Sequence, residues 1–287
     1  MERRFPQRIS RGRRAFLAAR KRSVPLRALV PNIVTLIGLC VGLTAIRMAI
    51  ENRFDIALAA IVVAALLDGV DGRMARLLKA SSRFGAELDS LADFVNFGVA
   101  PAIVLYLWGF DDARSLGWIV VLTFALAAAL RLARFTVALD DPGKPLWQNA
   151  FFVGVPVPAG AILLLLPLYL EKLGLPKAVM VTPAVTLYAM GIAILMVSRL
   201  RTFSGKLIGR RIARDYIAPV VALTVVLAAV LATYPYLTLT LVCLVYLALI
   251  GVSTRQYRQA EREMPIAEAP ALGHDGKEDK PPRHLHS

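Results

Sequence analysis

Eight apolar segments, separated by charged or turn-forming residues, set the pattern of the chain. They lie near 28–50, 54–77, 86–109, 116–139, 155–172, 177–198, 215–233 and 235–252. Each approaches the roughly 20 residues that one helix needs to cross the hydrocarbon core of a bilayer. The breaks carry the expected punctuation: Glu51-Asn52-Arg53, Lys79 to Arg83, Asp111-Asp112, Asp140-Asp141-Pro142-Gly143, Glu171 to Lys177, Arg199 to Arg214 and Tyr234-Pro235. The runs are continuous rather than alternating and too long for barrel strands, so strands are not expected. The pattern predicts an all-α, polytopic membrane helical bundle of about eight transmembrane helices.

The polar connections orient that bundle. A cytoplasmic N-terminus puts 1–27, 78–85, 140–154, 199–214 and the C-terminal tail on one side. Residues 199–214 alone carry Arg199, Arg201, Lys206, Arg210, Arg211 and Arg214, with no acid. The opposite connections are short and hold only Arg53, Arg114, Lys172 and Lys177, with Arg47 able to reach the interface. The bias of Lys and Arg toward the cytoplasm places both termini there, and an even helix count agrees. The chain thus divides into a basic leader at 1–27, a membrane domain at 28–252 and a polar tail at 253–287 that is expected to be disordered. The leader has no apolar core or small-residue cleavage site, so it does not read as a secretory signal. Its stretch Phe16–Arg22 could lie on the membrane surface as a short basic amphipathic helix, or the whole leader could be disordered.

Composition supports the membrane reading and narrows the partners. The chain is 57% hydrophobic with a mean hydropathy of +0.60. Its net charge of +14 could suggest nucleic acid. The basic residues, however, sit between apolar runs and are not interleaved with aromatics, which fits membrane topology and anionic lipid headgroups. No nucleic-acid partner is expected. Cys40 and Cys243 fall inside apolar runs and read as small buried hydrophobes. His274, His284 and His286 all lie in the tail, so the membrane part has no histidine for catalysis.

Candidate chemistry concentrates between Asp68 and Asp93. Asp68 and Asp71 are three residues apart near the end of the second segment, and Asp89 and Asp93 four apart near the start of the third; each pair shares a helix face. A short connection makes these helices antiparallel neighbours, so all four carboxylates can meet at one depth, at the cytoplasmic end. Ionisable groups inside a membrane segment are costly, and the default reading is functional. All-carboxylate ligation without His or Cys suits a hard cation, Mg²⁺ or Mn²⁺. Four carboxylates could hold two ions, an arrangement suited to phosphoryl chemistry. Gly72, Ala75 and Gly85 lack bulk and would let a substrate approach the helix backbones. Arg76 could pair with phosphate oxygens.

The run Asp68-x2-Asp71-Gly72-x2-Ala75-Arg76-x8-Gly85-x3-Asp89-x3-Asp93 matches every fixed position of the CDP-alcohol phosphotransferase signature, and the chain resembles that family over roughly residues 25–252. The resemblance implies a CDP-linked lipid donor, a divalent metal, release of CMP and an alcohol acceptor. It implies Asp68, Asp71 and Asp89 as metal ligands and Asp93 as a metal-associated general base. Gly72, Ala75 and Gly85 would line the nucleotide site, and Arg76 would face the phosphates. A homodimer is also implied.

The flanks resemble the bacterial and archaeal membrane-embedded phosphatidylserine synthases of this family. Pro31-Asn32-Ile33-Val34-Thr35 opens the first helix as in that group, with Asn32 and Thr35 toward the nucleotide. Phe94 to Ala102, Arg131 to Phe135, Gly154 to Pro158, Met196 to Ser198 and Thr202 to Lys206 resemble its other characteristic runs; Val157 departs from them, where a small polar residue is more usual. The implied substrates are CDP-diacylglycerol and L-serine. The serine carboxylate needs a cationic partner, for which Arg131, Arg134, Arg199, Arg201 and Lys206 are candidates, each equally explained by loop charge bias. Asn96 is a candidate polar contact to acceptor or donor, or an interhelical hydrogen bond. Alternatives remain open: another acceptor (glycerol 3-phosphate, an inositol compound or choline) or a carboxylate-lined ion or proton transporter. Gly38-x3-Gly42 could pack the first helix against a neighbour.

Overall fold

The computed structural model describes residues 29–78, 82–139, 151–177, 182–198, 201–203 and 217–263 of the chain. The leader, most of the tail and the long basic connections, including Arg199 and Lys206, lie outside the described residues. In order, the elements are α1 (Leu29–Ile50), α2 (Phe54–Leu77), α3 (Arg83–Asp93), a π-helical turn (Phe94–Val99), α4 (Ala100–Gly109), α5 (Arg114–Leu139), β1 (Phe151–Val153), α6 (Val157–Leu164), α7 (Leu166–Lys172), α8 (Thr182–Val197), β2 (Arg201–Phe203), α9 (Ile217–Thr233) and α10 (Pro235–Glu263).

Each of the eight apolar segments is therefore helical. Leu29–Ile50, Arg83–Gly109 and Arg114–Val137 are long and apolar enough to cross a bilayer, and α9 with α10 forms a pair bent by 119°. The α2 helix is 24 residues long but carries Asp55, Asp68, Asp71, Arg73 and Arg76, so its charge content sets it apart from these. Large aliphatic side chains point outward from the bundle, among them Leu43, Leu66, Leu126, Leu187 and Leu244. Such an apolar exterior fits lipid rather than water, as in an integral membrane protein.

Two features differ from the sequence pattern. First, β1 pairs with β2 as a two-stranded antiparallel ribbon, with Phe151 opposite Phe203 and Val153 opposite Arg201. Three residues per strand are too few to register as alternation, and the ribbon ties together the ends of long connections. Second, α10 continues 11 residues past 252, to Glu263. That extension is polar yet rich in Arg, Gln and Glu, all strong helix formers.

The core is built from small residues and aliphatics. α1 and α2 form a hairpin through Ala45, Ala49, Ala57, Leu58 and Ile61, all essentially inaccessible. The turn between them uses Asn52 at φ 58°, a left-handed conformation that asparagine tolerates. α6 and α7 lie at the centre, with Leu163, Leu164, Leu165 and Leu168 fully buried. Val157 is fully buried too, so an aliphatic residue suits that position. The end of the bundle remote from Asp68–Asp93 is clasped by polar contacts. Lys172 Nζ lies 2.8 Å from Asp55 Oδ1, and the Tyr236 hydroxyl donates to the same carboxylate, which joins α2, α7 and α10. Trp108 Nε1 donates to Glu171, and Lys177 stacks over the Trp108 ring at 5.3 Å.

Gly154, between the ribbon and α6, has φ +79°, and a β-carbon there would sit 2.6 Å from the Met196 carbonyl oxygen and 2.9 Å from that of Ser198. Gly154→Ala should therefore destabilise the fold by about 1–3 kcal/mol, through backbone strain and overpacking. Gly191, in α8, faces open space, and Gly191→Ala should stay within about 0.5 kcal/mol. Thermal denaturation of the two variants in detergent measures the difference.

Candidate active site

α2 and α3 bring the aspartates together as antiparallel neighbours. Asp68, Asp71 and Asp89 each offer a carboxylate oxygen, and the three oxygens all lie within 4.8 Å of one another. Asp93, one turn deeper on α3, is half-buried and within hydrogen-bonding reach of Asp68. Asp71 is 3% exposed. Its Oδ2 accepts a 2.7 Å hydrogen bond from Thr35 of α1, while its Oδ1 is buried with no hydrogen-bond partner. A buried carboxylate oxygen without a donor is expensive. Beside two further carboxylates it has the geometry of a cation ligand, and an all-oxygen donor set suits a hard divalent ion. The Thr35 hydroxyl has one proton and two acceptors in reach, Asp71 Oδ2 at 2.7 Å and the Pro31 carbonyl at 3.1 Å, and the shorter bond orients the carboxylate.

A cavity of about 170 Å³ opens beside this cluster, walled by α1, α2 and the start of α3. Asn32 and Thr35 line it from α1, Asp71, Gly72 and Ala75 from α2, and Gly85 and Asp89 from α3. The two glycines act in opposite ways. A β-carbon on Gly72 would meet nothing within 4 Å, whereas one on Gly85 would sit 2.9 Å from Asn32 Oδ1. Gly72 therefore leaves the chamber open, and Gly85 lets α1 and α3 close against each other. Ser82 and Ala86 complete the α3 wall and are absent from the candidates that the sequence pattern suggests. Ser82 does carry a local signal, because it is the N-cap of α3 and accepts from Gly85 N at 3.0 Å, a serine placed as N-caps usually are.

The other candidates separate. Arg76 is exposed at the end of α2 and does not wall the cavity. Arg134 Nη1 donates to the Val197 carbonyl at 2.8 Å, and so caps α8. Arg131, one turn earlier on α5, is half-buried, and its Nε is buried without a partner. Arg201 lies in β2 opposite Val153. Asn96 is 3% exposed and rests on α1, away from the cavity wall.

Residues 28–253 match the family model described as CDP-alcohol phosphatidyltransferase. Curated relatives named CDP-diacylglycerol–serine O-phosphatidyltransferase are similar over half of the chain or more. That of Mycobacterium leprae is 40% identical over 238 residues, covering 83% of this chain and 78% of that protein. That of Mycobacterium tuberculosis is 39% identical over 238 residues, covering 83% and 82%. That of Helicobacter pylori is 39% identical over 147 residues, covering 50% and 59%. With its aspartate cluster seated in the matched region, the chain belongs to the CDP-alcohol phosphatidyltransferase family.

Proposed function

We propose that this chain transfers the phosphatidyl group of CDP-diacylglycerol to the hydroxyl of L-serine, giving phosphatidylserine and CMP. The observation that carries the reading is the carboxylate cluster of Asp68, Asp71 and Asp89 beside a cavity walled by small and polar residues; the names of the relatives supply the substrates. Asp68, Asp71, Asp89 and Asp93 would hold Mg²⁺ or Mn²⁺, two ions by the number of carboxylates. Such ions, when bound, neutralise the pyrophosphate and ease departure of CMP.

The remaining chemistry belongs to the side chains. Asn32, Gly72, Ala75 and Gly85 receive the cytidine nucleotide, and Arg76, at the rim, is free to reach a phosphate. Asp93 removes the proton from the serine hydroxyl as its oxygen bonds to the lipid-side phosphorus. The bond from that phosphorus to the bridging oxygen breaks, and CMP leaves with the electron pair. Holding hydroxyl and phosphorus together contributes through proximity. For the serine carboxylate the best-placed cation is Arg131, since Arg134 is committed to Val197.

The same reading makes the protein an enzyme of the cytoplasmic membrane with eight crossings, both termini inside and the cavity opening to the cytoplasm. Arg and Lys crowd the connections on the aspartate side, and the active centre lies where a soluble headgroup and lipid tails can be served together. Segments 1–27 and 253–287 would be cytoplasmic, and the protein a homodimer.

Purified enzyme in detergent, given CDP-diacylglycerol, Mn²⁺ and a panel of alcohols, should release CMP with serine; release with glycerol 3-phosphate alone would overturn the acceptor, and release in the presence of chelator would overturn the metal. In that assay Asp93→Asn should lower kcat by about 10²–10⁴-fold, the usual contribution of a general base. Thr35→Val should raise the half-saturating Mn²⁺ concentration by about 10–100-fold, as loss of a bond that orients a ligand does. Arg131→Gln should raise the serine KM by about 10–100-fold, equivalent to one charge-assisted hydrogen bond, and leave the KM for CDP-diacylglycerol unchanged.

A further inference from the structure

Asn96 stands three residues after Asp93, within the π-helical turn Phe94–Val99. It is a buried polar residue, and its Oδ1 has no hydrogen-bond donor. A side-chain carbonyl in that state is costly, so its placement needs a reason. It lies against the Gly38 and Gly42 face of α1. A β-carbon on Gly42 would fall 2.0 Å from Asn96 Oδ1, 2.8 Å from its Cγ and 3.3 Å from its Cα. On Gly38 the nearest atoms would be Leu67 Cβ at 3.7 Å and Asn96 Nδ2 at 3.8 Å, an ordinary contact. The amide therefore lies along α1, with its oxygen pressed onto the face of Gly42 that carries no side chain.

The turn is held from its other side as well. Gly98 packs onto α5, where its β-carbon would sit 2.9 Å from Ala128 Cβ. A π turn inserts one residue into the helical ladder and so rotates α3 relative to α4. The Asn96 seat and the Gly98 contact together leave α3 little freedom to slide or turn. Asp93, immediately before the turn, takes its height and direction from them.

We propose that Asn96 is a positioning residue: seated on Gly42, it fixes the depth and rotation of Asp93 beside Asp68. The inference rests on the assignment of Asp93 as the general base. The Asn96 amide is taken up by the face of Gly42 on α1, so its effect reaches the reaction through the placement of Asp93. Gly42, and not Gly38, is then the socket for this residue.

The test uses the full-length enzyme in detergent with CDP-diacylglycerol, Mn²⁺ and serine, reading kcat, both KM values and thermal denaturation. Gly42→Ala should lower kcat by about 10²-fold, the scale of a displacement near 1 Å, with both KM values within about threefold of the parent. Gly38→Ala and the control Gly191→Ala should keep kcat within about twofold. Asn96→Ser combined with Gly42→Ala makes room for the methyl group and should recover kcat about tenfold over Gly42→Ala alone. A folded Gly42→Ala enzyme with parental kcat overturns the proposal, and so does a loss that Asn96→Ser fails to relieve. If Gly42→Ala does not fold, Asn96→Ser alone decides: a fall in kcat at unchanged KM supports the proposal, and parental kcat overturns it. Failure of the parent enzyme to release CMP with any acceptor would refute the reaction, an outcome distinct from all of these.

Discussion

Mutual repulsion among carboxylates in a poorly polarisable setting is the constraint on which this molecule is built. Three oxygens from Asp68, Asp71 and Asp89 within 4.8 Å of one another repel strongly where little water screens them. Asp71 meets the problem halfway, with one oxygen satisfied by Thr35 and the other left bare. A cation bound between the three carboxylates would relieve that repulsion, and the folded chain already holds them close enough to share one. Ligands gathered in this way would need little reorganisation when an ion binds.

Holding those charges together falls to α1, which carries none of them. It braces Asp71 through Thr35, contributes Asn32 to the cavity wall and receives Asn96 on Gly42. Each contact depends on close approach, which explains the small residues at the contact points. The substitution pattern differs along the helix accordingly: Gly42 has no room for a methyl group, while Gly38 has. At the far end several charges are paired, some of them across elements. Asp55, Lys172 and Tyr236 join α2, α7 and α10 about 20 Å from the carboxylate cluster, by the rise of α2. One end of the bundle is locked by satisfied polar groups, and the other is held open for ligands.

What could be read from the chain divides along physical lines. The aspartates, Gly72, Ala75 and Gly85 were legible because their spacing is local and their cost in an apolar segment is high. The positions of the eight helical segments were legible for the same reason, since hydropathy is a property of short windows. Contacts between distant segments were not. That Arg134 would cap α8 while Arg131 kept an unpartnered nitrogen depends on the packing of α5 against α8, which no local pattern encodes. The π turn at Phe94–Val99 is equally silent, because one inserted residue changes rotation without changing composition. The ribbon pairing 151–153 with 201–203 joins positions about 50 residues apart through too few residues to leave a pattern.

These observations give the glycines of the site different jobs despite their common small size. Gly72 provides volume, Gly85 allows two helices to close, and Gly42 accepts a polar side chain from a third. Sequence spacing groups Gly72 and Gly85 as lining residues and reads Gly42 only as half of a helix-packing motif. The distinction matters for substitution: a larger residue at 72 would change what the cavity can hold, whereas a larger residue at 42 would press on Asn96 and the turn that follows Asp93. Cavity volume and the seating of the turn after Asp93 therefore depend on different glycines, on α2 and α1, and they can be altered separately.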